Sequence, residues 1–189
     1  MALEFNGIPV NVIKSCRKTI SLRLKPGEIE MRVPSYMSRK EIQSFLLEKR
    51  SWIEKHWERM TEQEEQLQAL PKLTEEEIRA LAEKALQVIP ERVRHYAPMI
   101  GVTYGRITIR NQRTRWGSCS SSGNLNFNCL LMLTPEKVID SVVVHELCHR
   151  KHMDHSQNFY ALVERVFPEY WQCHQWLKEN GSLILGRLP

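Results

Sequence analysis

Ile20, Leu22 and Leu24 alternate with polar neighbours, as do Ile29, Met31 and Val33, and that period of two predicts half-buried strands. Between the two runs, Lys25-Pro26-Gly27-Glu28 places Pro and Gly where a type II turn takes them. The period then lengthens. Ser38-Arg39-Lys40-Glu41 fits a capping box, and Ile42, Phe45, Leu46, Trp52, Ile53 and Trp57 follow at helical spacing. Residues 61–73, rich in Glu and Gln and ending near Pro71, read as a linker or a helix extension. Thr74 and Glu77 make a second capping box ahead of Ile78, Leu81, Ala82, Ala85 and Ile89, and Pro90 should kink or end that helix. The expected organisation is a strand-rich N-terminal part over 1–60 that ends in a helix, a connection over 61–73, and a core over 74–189.

Within that core, Arg106-Ile107-Thr108-Ile109-Arg110 alternates as a strand with its charges outward. Leu125, Phe127, Cys129, Leu131 and Leu133 share one strand face, with Asn124, Asn126 and Asn128 on the other. Thr134-Pro135-Glu136 reads as a helix start, with Thr as N-cap and Pro at the first helical position. That helix carries Val138, Ile139 and Val142 and runs on into His145. Ser156 can cap the next helix, whose Phe159, Leu162, Val163, Val166 and Phe167 form one apolar stripe ended by Pro168. A last helix is expected from Trp171 to about Glu179, closed by Asn180-Gly181.

Composition narrows the class. Apolar residues make up 42% of 189, enough for a packed core and too many for a disordered chain. No run approaches the roughly eighteen apolar residues of a membrane span. The start has no basic segment followed by an apolar one, so no secretory signal is read. The five cysteines are scattered and form no C-x-x-C pair, which points to reduced thiols in a cytoplasmic setting. The net charge of +5 is unevenly spread: Arg106, Arg110, Arg113 and Arg115 fall close together with no acid between them. Such a cluster can attract nucleic acid through its phosphates, and a solvated basic face is the plainer reading.

The chemistry concentrates in His145-Glu146-Leu147-Cys148-His149. On a helix, residues four apart share a face, so both imidazoles can reach one ion. Glu146 is turned by about 100° from His145 and can hold a water on the open side of that ion. Zinc would bring the pKa of such a water to about 7, and the carboxylate would take its proton as it attacks a carbonyl. A chance match on an amphipathic helix is the competing reading, and further histidines downstream weigh against it. The third ligand is open among His152, His155, Glu164 and Glu169. His152 would lie about 10 Å along the axis from His145 if the helix continued, too far for bonds near 2 Å. The chain must turn back, and Met153-Asp154-His155-Ser156 sits between two helices, which favours His155; Glu164 on the following helix remains the alternative. In the zincin pattern H-E-x-x-H-x-x-G-x-x-H a Gly makes this turn, and here the position is His152.

Taken together, Arg115-Trp116-Gly117-Ser118-Cys119, the strand around Asn124–Leu131, the H-E-x-x-H segment and His155-Ser156-Gln157-Asn158-Phe159-Tyr160 resemble the YgjP-like metallopeptidase family. That family is related to the WLM and SprT-like zinc peptidases. The resemblance implies an α+β, zincin-like fold: a small sheet packed on an active-site helix, with a strand-rich N-terminal part and a helical connection. It also implies one zinc ion per chain on His145, His149 and His155, with Glu146 catalytic. The activity so implied is hydrolysis of peptide bonds in a peptide or protein substrate. Four further residues are candidates for substrate binding. Asn126 and Asn128 lie on the strand before the active-site helix, where an extended peptide could add as a strand. Arg115 could anchor a carboxylate or phosphate or form a structural ion pair, and Tyr160, like His174, could face an oxyanion or simply pack. The alternative function is a nucleic-acid-associated module with a zinc site, including a protease acting on DNA-bound proteins.

Overall fold

A computed structural model describes residues 3–189. The chain divides into two compact units, one ending at Ala69 and one spanning Leu70–Pro189.

The first unit pairs β1 (Leu3–Phe5), β2 (Ile8–Ser15), β3 (Ser21–Lys25) and β4 (Glu28–Pro34) in the order β1-β2-β4-β3. The β3–β4 hairpin turns at Pro26-Gly27, with Lys25 opposite Glu28 and Gly27 at φ 76°, a conformation that a side chain resists. Two helices follow, α1 (Arg39–Glu48) and α2 (Arg50–Ala69), so residues 61–69 are helical. The Ser38 box forms: its side chain accepts from Glu41 N–H while the Glu41 carboxylate accepts from Ser38 N–H at 2.7 Å. Ile29, Met31, Val33, Ile42, Leu46 and Ile53 make the core of this unit.

The second unit opens with α3 (Glu75–Ile100), capped by the Thr74–Glu77 box. Pro90 does not end it. Ala85, Ile89, Val93, Ala97 and Ile100 are buried at spacings of four and three, so the packed stripe crosses the proline. That burial outweighs the roughly 3 kcal/mol an interior proline costs a helix. A three-stranded sheet comes next, β5 (Ile107–Arg110), β6 (Gly117–Cys119) and β7 (Leu125–Asn128), in the order β5-β7-β6. The strand expected to run on to Leu133 stops at Asn128, and Cys129–Leu133 is a short 3-10 helix. The cause is Asn128, whose side-chain oxygen accepts from Leu130 N–H at 3.1 Å and caps the turn. Thr134 likewise faces backward, its hydroxyl donating to the Leu131 carbonyl at 2.8 Å, and it is not the N-cap of the next helix.

That helix, α4 (Glu136–Cys148), is buried on nearly every side, with Val138, Ile139, Val142, Val143, Val144 and Leu147 in the core. It packs against α3, β6, α5 (Gln157–Val166) and α6 (Tyr170–Leu185). Ser156 caps α5 as expected. The closing helix α6 passes through Asn180-Gly181 instead of stopping there. Gly181 is buried against the Trp116 ring, where a Cβ would lie 3.2 Å from the ring carbon Cζ2. The glycine therefore serves close packing, not termination. The α+β class and the small sheet beside the motif-bearing helix agree with expectation.

Candidate metal centre

His145, Glu146 and His149 project from the last turn of α4, and His149 is the capping residue at its end. The chain then leaves the helix axis and returns through His155 to the Ser156 cap of α5. No left-handed residue makes this turn, because among the described residues Asn6 is the one non-glycine at positive φ. Its anchor is the His152 carbonyl, which accepts from His149 Nδ1 at 3.0 Å.

The result is a convergence of three imidazoles. Nε2 of His145 stands 3.2 Å from Nε2 of His149 and 3.2 Å from Nε2 of His155. The three donor atoms all lie within 4.8 Å of one another. Two zinc–nitrogen bonds of about 2.05 Å at the tetrahedral angle would hold their nitrogens about 3.3 Å apart, so the donor set fits that ion. Glu164, the competing third ligand, is turned away and accepts from the Trp171 indole N–H at 2.6 Å.

Two of the three rings are held from behind. His145 Nδ1 is 2.9 Å from the Tyr170 hydroxyl, and His149 Nδ1 is bonded to the His152 carbonyl, so both rings keep Nε2 toward the centre. Phe159 is fully buried under all three, its centroid 4.9 Å from His145, 4.6 Å from His149 and 5.1 Å from His155. Burial pushes the His145 imidazole down to about 3, helped by the other rings, and lowers His149 as well. His145 is therefore a neutral donor across ordinary pH, and the same burial favours the neutral form of His149, the form a metal requires. Burial acts oppositely on Glu146, pushing its carboxyl up to about 8 against the pull of the Arg115 charge.

A cleft of about 280 Å³ opens beside His145 and Glu146. Its apolar walls are Trp116, Val142 and Leu177, and Arg115 and His174 bring polar groups to it. At its edge, β6 meets α4 so closely that a Cβ on Gly117 would lie 2.7 Å from Glu146 Oε1.

The remaining candidates fall elsewhere. β7 is the central strand, so both of its edges are taken and strand addition cannot occur there; the free edge next to Glu146 belongs to β6. Asn126 is paired with Ser118 across β6–β7, at 3.3 Å. Asn128 is fully buried, and its amide donates to the carbonyls of Gln112 at 2.6 Å and Arg115 at 2.9 Å. It holds the loop that presents Arg115. Tyr160 is half-buried, its ring 6.1 Å from that of His155. Of the four clustered arginines, Arg106 just before β5 and Arg110 at its end are exposed, Arg113 bonds the Pro189 carbonyl, and Arg115 lines the cleft. Sequence reasoning missed Tyr170 and the platform role of Phe159, since Tyr170 lies 25 residues from the histidine it bonds. No helix among the described residues is long and apolar enough to cross a membrane.

Comparison with known proteins adds an independent line. The family model described as YgjP-like, metallopeptidase domain, matches residues 18–79 and 69–180. No curated protein matches the chain significantly. Two similar solved structures are metallopeptidase zymogens. One is abylysin of Pyrococcus abyssi, 21% identical over 49% of this chain and 94% of that one, with a TM-score of 0.44. The other is jannalysin of Methanocaldococcus jannaschii, 18% identical over 50% of this chain and 97% of that one, with a TM-score of 0.45.

Proposed function

The chain belongs to the YgjP-like metallopeptidase family, and on that premise we propose that it is a zinc-dependent peptidase, with His145, His149 and His155 holding the metal and Glu146 as general base. The observation that carries this reading is the convergence of three imidazoles, two of them from the end of α4, beside the buried Glu146 carboxylate of that helix. Three protein ligands leave a fourth position free, which favours catalysis over a closed structural site. A zinc ion there would bring the pKa of its water to about 7 and polarise a carbonyl.

The chain's own residues supply the rest. The bonds at His145 Nδ1 and His149 Nδ1 fix the rings so that Nε2 stays available. A carboxylate oxygen of Glu146 takes the proton of the attacking water and returns it to the leaving amine. Its raised pKa belongs to the metal-free site; a cation nearby restores the ionised form that a base needs. The free edge of β6 gives an extended peptide a strand to pair with, and Gly117 on that edge leaves space for the carboxylate.

A nucleic-acid role has less behind it, since Arg113 and Arg115 are turned to other tasks. An unbiased peptide library tests the main reading. Zinc-loaded protein should cleave it, lose that activity to a chelator, and regain it with zinc. Cleavage indifferent to chelation contradicts the reading.

A further inference from the structure

Arg115 is the one arginine of its cluster that faces the cleft. Its guanidinium makes no ion pair or hydrogen bond with a described residue, and the acid that feels its charge is Glu146. The loop beneath it is nonetheless built with care. Asn128, with 0% exposure, spends both amide hydrogens on the carbonyls of Gln112 and Arg115. Trp116, the next residue, is seated on Gly181 of α6 at near contact distance. An exposed cation, on a loop held at its own backbone carbonyl, thus stands at an apolar-walled cleft that opens beside the carboxylate and imidazole of the site. An arginine with five donors and no partner is suited to a planar anion, which it can grip with two parallel hydrogen bonds.

We propose that the Arg115 cleft binds a carboxylate of the peptide substrate close to the scissile bond. The cleft is then the part of the site that selects the substrate, and the carboxylate is either a free C-terminus or an Asp or Glu side chain. The proposal rests on the peptidase reading and deepens it. The apolar walls take the flanking hydrocarbon while the guanidinium takes the charge. The anion then belongs to the substrate, which fits a guanidinium that makes no hydrogen bond or ion pair with a described residue although Glu146 lines the same cleft.

The test is binding to the zinc-loaded Glu146→Gln protein, which holds peptides without turning them over. Three matched peptides serve as probes: one with a free C-terminus and neutral side chains, one amidated with a Glu side chain, and one amidated and neutral. At least one carboxylate peptide should bind about tenfold or more tighter than the neutral amide, as a charged hydrogen-bonded pair permits. Whichever does so names the source. Adding Arg115→Gln should abolish the preference, and Arg115→Glu should reverse it toward a Lys-bearing peptide, which a merely structural arginine would not do. Equal binding of all three peptides, or a preference that survives Arg115→Gln, overturns the proposal. Binding with the stated preference by a protein that never cleaves would overturn the peptidase reading alone.

Discussion

A methyl group on residue 117 would meet the Glu146 side chain at 2.7 Å, and that carboxylate, only 6% exposed, has little room to retreat. Gly117→Ala should therefore keep its metal and lose peptidase activity by about 10²-fold, the scale of a displaced catalytic group. Titration of the metal-free protein probes the same carboxyl. Burial raises Glu146 from 4.5 to about 8, so its contribution to stability is full below about pH 4.5 and is lost as pH rises toward 8. His145 runs the other way: lowered from 6.5 to about 3, it contributes fully above about pH 6.5 and fades as pH falls toward 3. Denaturant melts of metal-free protein, natural chain minus Glu146→Gln, should give a stability difference that falls between pH 4.5 and 8. A difference that rises over that window would contradict the burial argument. Tyr170 is a third residue to probe. Tyr170→Phe keeps the ring stacked on His145 and removes the bond to Nδ1, so zinc affinity should weaken by about 10- to 100-fold with the fold intact.

Elements were legible where their signals are local. Both capping boxes and the Pro-Gly turn form as the sequence implies, because each depends on residues within one turn of chain. Thr74→Ala should accordingly cost about 1 kcal/mol in denaturant melts while leaving metal content unchanged. The misread boundaries share a different cause. Pro90 and Gly181 are helix breakers by propensity, yet α3 and α6 run through them because tertiary packing decides there. Alternation carried the expected strand past Asn128, where one side-chain cap converts it to a 3-10 turn. That early stop, and the central place of β7, moved the available strand edge from the two asparagines to β6, a fact of sheet order that no single strand encodes.

At the scale of the molecule, every group assigned to the site lies in Leu70–Pro189, whose first residues are tied to its last by Leu73 N–H donating to the Arg187 carbonyl at 2.8 Å. A chain of residues 70–189 should therefore unfold cooperatively and bind one zinc, as calorimetry with elemental analysis would reveal. The H-E-x-x-H histidines could be picked out from spacing alone, while the supports around them come from α5 and α6 and emerge only when the helices pack. The assignment of Glu146 as base, not ligand, is the central claim, and one paired measurement addresses it: zinc content and peptide hydrolysis of the natural protein beside Glu146→Gln. The variant should keep one zinc and lose activity by at least the roughly 10²–10⁴-fold of general acid–base catalysis. A Glu146→Gln protein that cleaves at the natural rate, or one that sheds its zinc, would contradict it.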